Sequence, residues 1–394
     1  MARILFLAFS GGGNLPPSLG IARELTGRGH EVVFAGDPEM MPRMTSTPFR
    51  AIELTQAYAQ LDKYPDHPAF GPWFCGLSSP AVEAQARSIV DAENPDFVLV
   101  DFMFLAALNL RFAQPSAAMA HMAFFRVAEI FGGLTQMCSG IRQQAGFAAL
   151  PAFDELLSAR DRVIVTSLGA IDPGPSGSPL AQKVRHVGPA LETEAHVRPL
   201  ALPWDRADSI PLVLVSFSTD PIQVNPDLIQ RSLAALGQLN VHVVATVGAG
   251  VDVDRLSVPS NALVVRTADH ELLMAKAALV VTHGGHGTVM RALKHGTPMI
   301  VMPGIAPDQA PNGAMVEELG AGRVLAQDAG SEAIGALARE LLATSHYHRA
   351  RAKEVAKLFS RVDGAAGAAD EVELLLAGGE GKRRRSGRLA ASAA

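Results

Sequence analysis

Cysteine is nearly absent: Cys75 and Cys138 are the only two, too few for a disulfide framework or a cysteine-based metal site. Positive charge is not in excess either. Lys and Arg number 34 against 39 Asp and Glu, a net charge of −5, so electrostatics gives no reason to expect nucleic acid as a partner. No uninterrupted apolar run is long enough to span a bilayer, and no membrane insertion is expected. The opening run Ile4 to Phe9 ends in Gly11-Gly12-Gly13; six apolar residues before a glycine loop make a poor signal peptide and a good buried strand. A cytoplasmic chain is the expectation. The one basic run, Lys382 to Arg385, lies in a Gly/Ser/Ala-rich tail, residues 379–394, expected to be solvated and disordered.

What is present is a large apolar content. Hydrophobic residues make up 48% and charged residues 19% of 394 residues, which fits buried sheets, and the length favours two domains over one core. The first forty residues read as strand, glycine loop, helix, strand. Pro16 and Pro17 suit a helix start, Leu19, Ile21, Ala22 and Leu25 give it an apolar face, and Gly27 and Gly29 end it. Glu31 to Ala35, Phe97 to Val100 and Val163 to Thr166 read as further strands. The proline-rich stretch Gly169 to Trp204 breaks the pattern, and five buried-strand candidates follow, at Leu212, His242, Leu263, Leu279 and Met299. The alternation predicts an α/β protein of two Rossmann-like parallel-sheet domains facing each other across a cleft. The expected division is a first domain at 1–185, a linker at 186–208 and a second domain at 209–378. In such sheets ligands sit beyond the carboxyl ends of the strands.

The most informative segment is Val281-Thr282-His283-Gly284-Gly285-His286-Gly287-Thr288. A buried strand runs into a glycine turn and then a helix. Such a turn exposes backbone N–H groups and a positive dipole end, which suit a diphosphate. Thr288 adds a hydroxyl and His283 an imidazole donor, with no metal required. A tight turn with a capping threonine is the plainer account. Ser218 and Thr219 follow the strand at Leu212, while Asp308 and Gln309 follow the strand at Met299. An acid and an amide side by side match vicinal sugar hydroxyls. Among the aromatics, Phe70, Trp73, Phe104 and Phe124 are candidates for lining a pocket for an apolar ligand, with ordinary core as the alternative.

With Pro303, Asp308 and Gln309 at this spacing, the segment from His283 to Thr288 resembles the donor signature of the inverting nucleotide-sugar-dependent glycosyltransferases of the UDP-glycosyltransferase superfamily. These have the GT-B fold, and their bacterial members include macrolide and other natural-product glycosyltransferases. The likeness extends through Arg28 to Val32, Val187-Gly188-Pro189 and Glu317 to Gly322. It implies transfer of a hexose from a UDP- or dTDP-sugar to a small hydrophobic acceptor, without a metal and with no cofactor beyond the nucleotide sugar itself. His283, Gly285, Gly287 and Thr288 would hold the pyrophosphate, assisted by Ser218 or Thr219. Asp308 and Gln309 would bind the donor sugar, and Thr267 and His270 would lie against the nucleoside. Family members usually carry a general-base histidine within Gly-His-x-x-Pro. Aligning on Pro17 puts Asn14 at that position, and a neutral amide cannot deprotonate an alcohol. The family's partner aspartate corresponds to Asp101, which follows an apolar strand where desolvation would raise its basicity. Asp101 and Asn14 are therefore the catalytic candidates.

Other readings compete. Gly11 to Gly13 with Asp37 hint at dinucleotide binding, but Pro16 replaces the third glycine. Asp252-Val253-Asp254 has the form of a metal-binding pair in a polar loop, and no metal is expected there. A nucleotide-sugar 2-epimerase would keep the fold, as would a non-catalytic homologue that binds a nucleotide sugar and assists a partner. Oligomeric state is left open, a homodimer included.

Overall fold

The computed structural model describes the chain except residues 11–12, 60–75, 176, 192–199, 205–208, 219–222, 249, 344 and 392–394, and the side chains of 345–346 and 379–391. It divides into two compact units, Met1–Glu192 with Asp363–Ala394, and Thr193–Val362.

The first unit is built on β1 (Arg3–Ala8), β2 (Glu31–Gly36), β3 (Arg50–Glu53), β4 (Phe97–Asp101), β5 (Ser116–Ala120), β6 (Arg162–Val165) and β7 (Val184–His186), in the order β3-β2-β1-β4-β5-β6-β7. Every pairing is parallel. β1, β4 and β6 are covered on both faces, so they read as continuous apolar runs, as a parallel sheet requires. β5 is equally buried but has the sequence Ser-Ala-Ala-Met-Ala. It carries no branched or aromatic residue, which is why no strand was expected there.

The second unit holds β8 (Leu212–Ser216), β9 (His242–Thr246), β10 (Ala262–Val265), β11 (Ala277–Thr282), β12 (Met299–Val301) and β13 (Gly322–Val324), in the order β10-β9-β8-β11-β12-β13. These pairings are also parallel. The five expected strands are all present. The sixth, β13, is three residues long and contains a glycine and an arginine, too little for a pattern to register.

The expected domain limit at residue 378 is corrected. The chain leaves the second unit after Val362 and returns to the first, where the helix Gly364–Ala391 packs beside the helix Leu15–Gly27. Ala368, Ala369 and Val372 are fully buried with Leu19, Ile21 and Leu25. Arg28 pairs with Asp370 at 2.6 Å and Glu373 at 2.8 Å, and His30 meets Glu373 at 3.0 Å. A Cβ at Gly364 would collide with the Gly188 carbonyl and Pro189, so this crossing needs glycine. The tail is corrected as well. Through Ala391 its backbone continues the helix, in keeping with Lys, Arg, Leu and Ala as good helix formers. The described core contacts of that helix end at Leu376. Truncation after Gly378 is accordingly expected to shift Tm by less than about 4 °C, the equivalent of roughly 1 kcal/mol or less. A larger loss in a thermal melt would show that the last turns are structural. Among the described residues, no helix is long and apolar enough to cross a membrane.

Candidate active site

In the first sheet the chain winds from β1 toward β2 on one side and from β4 toward β5 on the other. The loops after β1 and β4 therefore flank a crevice at the strands' carboxyl ends. Asn14 and Asp101 meet there. Asn14 is the N-cap of the helix Leu15–Gly27, yet its side chain makes no cap bond. The reason is local: an N-cap oxygen bonds the N–H of the second or third helical residue, and here these are Pro16 and Pro17, which have none. The amide is free to turn elsewhere, and it donates to Asp101 Oδ2 at 2.8 Å.

Asp101 ends β4 and is 2% exposed. Its Oδ1 accepts from the Met103 N–H at 2.9 Å, so the carboxylate also braces the turn after β4. Burial pushes the Asp101 carboxyl up to about 7, and the charge of Asp37 adds to this; the bonds from Met103 and Asn14 oppose it. His121 follows β5. Its Nε2 lies 3.0 Å from Ser18 Oγ and its Nδ1 3.3 Å from Thr166 Oγ1, while Ser18 Oγ donates to the Asn14 carbonyl at 3.1 Å. Both ring nitrogens thus face hydroxyls.

Asp37 has a different part from the dinucleotide role weighed for it. It accepts from the Ser10 N–H at 2.9 Å, from the Ser10 hydroxyl and from Tyr58 at 3.1 Å, bracing the start of the first glycine loop. Burial raises its pKa too. Asp252 caps a short turn by accepting from the Asp254 N–H at 3.3 Å. Two acceptor-pocket candidates are corrected. Phe104 and Phe124 are 1% and 0% exposed and belong to the core, Phe104 against Phe9 and Phe124 against Phe102. An apolar ring after a parallel strand is drawn under the covering helices. Phe70 and Trp73 lie outside the described residues.

The second sheet repeats the arrangement between β8 and β11. Thr282 pairs with Ser216, so the segment carrying Ser218 and the one carrying His283 leave the sheet side by side. The turn then enters the helix His286–His295, capped by Gly285, which places Gly287 and Thr288 in its first turn. Gly284 has φ of +91°, and a Cβ there would sit 2.7 Å from Val301; glycine alone suits it. A Cβ on Gly285 would come within 2.6 Å of His283 Nε2. Burial holds His283 down to about 4, with the Ser216 backbone partly opposing, so the ring is a neutral donor at pH 7. Its Nδ1 is buried without a hydrogen-bond partner.

Asp308 is engaged within the protein. Its Oδ2 accepts from the His286 N–H at 3.3 Å and from Asn312 at 3.2 Å, while Asn312 also donates to the Gly284 carbonyl at 2.8 Å. Burial raises its carboxyl to about 6. Asp308 thus braces the glycine turn. Gln309 does line a cavity of about 210 Å³ together with His283, Gly304, Gln223, Asn225 and Gln327. Gln223 and Gln327 were not anticipated; Asn225-Pro226, a helix-start signal, is the one cue near the first. His270 Nε2 bonds Thr246 Oγ1 at 3.0 Å, and burial lowers its pKa to about 4. Thr267 is exposed nearby in sequence. Thr219 falls outside the described residues.

Two parallel sheets, each with a crevice at the point where strand order reverses, have the GT-B fold. Solved glycosyltransferases share it. The calicheamicin glycosyltransferase CalG4 matches with a TM-score of 0.75 at 22% identity, covering 96% of this chain and 98% of that one. Glycosyltransferase VinC, solved in complex with dTDP, matches with a TM-score of 0.69 at 19% identity, covering 96% and 100%. Residues 230–361 match the family model of the erythromycin biosynthesis protein CIII-like C-terminal domain. NDP-glycosyltransferase YjiC of Bacillus licheniformis is 23% identical over 387 residues, 93% of this chain and 95% of the relative. The chain is a glycosyltransferase of the GT-B fold.

Proposed function

We propose that the chain is a cytoplasmic, inverting glycosyltransferase that moves a hexose from a UDP- or dTDP-sugar to a small hydrophobic natural-product acceptor, with Asp101 taking the acceptor's proton. The observation that carries this reading is the buried pair of Asn14 and Asp101, 2.8 Å apart at a switch point. Inversion needs a base to remove the nucleophile's proton as it attacks the anomeric carbon. The pair supplies one carboxylate oxygen held by an amide and a desolvated environment that brings its basicity near neutrality.

The donor side is supported by the neutral His283 and by the N-terminus of the helix His286–His295. Both favour an anion, and neither needs a metal. The dTDP bound to VinC, and the nucleoside-diphosphate donor in the name of YjiC, point the same way. On this reading the leaving group is the nucleoside diphosphate, whose growing negative charge these groups stabilise.

The test is incubation with UDP- and dTDP-linked hexoses and a panel of phenolic and macrocyclic acceptors. Released nucleoside diphosphate is measured, and the product's anomeric configuration is read by NMR. An inverted glycoside with stoichiometric diphosphate is the expected outcome. A retained anomer would overturn the mechanism. An altered but intact nucleotide sugar would indicate epimerisation, and a thermal shift without turnover would indicate a binding protein.

A further inference from the structure

The cavity beside His283 has a chemical character that narrows the donor, given the donor-site reading above. Its polar wall is mostly amide, from Gln223, Asn225, Gln309 and Gln327 beside His283, with Val224, Pro226 and Ile305 as the apolar part. Gln309 Oε1 accepts from the Gly304 N–H at 2.6 Å, and its Nε2 donates to Gln223 Oε1 at 2.7 Å, so this side chain bridges two loops. Gln327 closes the wall: a Cβ on Gly304 would stand 2.9 Å from both Gln327 Nε2 and Gln309 Oε1. Arg231 fixes the Gln327 loop from behind, donating to the Gln327 carbonyl at 2.8 Å and the Ala329 carbonyl at 3.0 Å.

About 210 Å³ lies below the ~300 Å³ at which sites for drug-sized ligands begin, so the cavity suits a single sugar ring. Each glutamine offers a donor and an acceptor, the pairing a hydroxyl needs. No Lys or Arg is among the residues that line the cavity, and burial keeps the His283 ring there neutral. A sugar carboxylate would therefore meet amides with no cation in the lining to pair it, and burying an unpaired carboxylate is costly.

We propose that Gln223 and Gln327, with Gln309, form a donor-sugar pocket that accepts uncharged hexoses and rejects hexuronic acids. Insertion of a hydroxyl exchanges the Gln309–Gln223 bond for two amide–hydroxyl bonds, which makes Gln223 a specificity-determining residue.

The experiment is calorimetric titration of the full chain with UDP, dTDP, UDP-glucose, dTDP-glucose and the glucuronic acids of the same two bases. The neutral sugar of the preferred base is expected to bind about 100-fold more tightly than its uronate. Gln223→Leu is expected to weaken the neutral sugar nucleotide about 10-fold and to leave the bare diphosphate within about twofold. Gln327→Arg, which adds a cation, is expected to bring the uronate closer to the neutral sugar. Equal binding of sugar and uronate overturns the proposal, as does a Gln223→Leu variant that loses the bare diphosphate equally. Failure to bind any of the six compounds removes the donor-site reading, and this proposal with it. Far-ultraviolet circular dichroism of each variant separates a lost pocket from a lost fold.

Discussion

Asp101→Asn is expected to lower kcat by about 100- to 10,000-fold, the usual range for general-base assistance. The two side chains are close in size. The introduced amide oxygen could still accept from the Met103 N–H, while the Asn14 amide reverses to accept from the new NH₂. The variant should therefore fold. Linkage strengthens the test. The carboxyl has a folded value of about 7 against an ordinary value of 3.8, so it is raised. Its burial is tolerated while it is protonated and becomes a cost as pH climbs from about 4 toward 7, where the unfolded state already holds the ionised form. Above pH 7 the neutral amide avoids that cost, so Asp101→Asn should melt no lower than the parent at pH 8. A variant at least as stable and far slower has lost chemistry, not structure. For the parent, kcat/KM should fall as pH drops through about 7, because the carboxylate must be ionised to accept a proton. Full rate in Asp101→Asn would move the base elsewhere. His121, held between Ser18 and Thr166, would be next to examine.

Asn14 should matter less. Asn14→Ala removes one bond to Asp101, and a bond to a charged group is typically worth about 1.5 to 3 kcal/mol, or roughly 10- to 150-fold. Asn14→His tests acceptor choice: increased activity toward simple alcohols would show that the amide restricts the enzyme to more acidic nucleophiles.

The parts of this molecule that were legible in its sequence are those with a strong local signature. β1, β4 and β11 are long apolar runs, and the glycine turn after β11 is required by backbone geometry at Gly284, so both survive translation from pattern to fold. Asp101 was legible through the family resemblance, which its place at the end of such a run supports. What escaped depended on contacts distant in sequence. The C-terminal helix was assigned to the second unit because it follows it in the chain, yet Arg28 and the apolar face at Leu19 and Leu25 draw it to the first. Phe104 and Phe124 were read as pocket residues because aromatics serve cores and pockets alike, and only burial separates the two uses. Asp308 has a second part that its sequence position did not show. Its position beside Gln309 suggested sugar binding, while its carboxylate is engaged by the His286 amide and Asn312. Gln223 and Gln327 carried no signal, since a lone glutamine in a loop has no period, spacing or charge to mark it.

His283→Ala is expected to reduce kcat/KM for the donor by about 10- to 150-fold, the equivalent of one hydrogen bond to a charged group at roughly 1.5 to 3 kcal/mol. The residue follows the last position of β11, where its ring borders the cavity and packs against Gly285, so its loss should leave the fold intact. The pH dependence distinguishes two ways a histidine could serve a diphosphate. A cationic imidazolium would lose its effect as pH rises through the ordinary value of about 6.5. Burial instead holds His283 down to about 4, so the free enzyme carries the neutral ring throughout the working range, and kcat/KM reports that free enzyme. The ratio of parent to His283→Ala is therefore expected to stay flat from about pH 6 to about pH 9. His283→Gln, which keeps an N–H donor, should recover part of the loss. A ratio that collapses as pH rises above about 6.5 would mean the ring works as a cation, and unchanged kinetics in a folded His283→Ala would remove it from the donor site altogether.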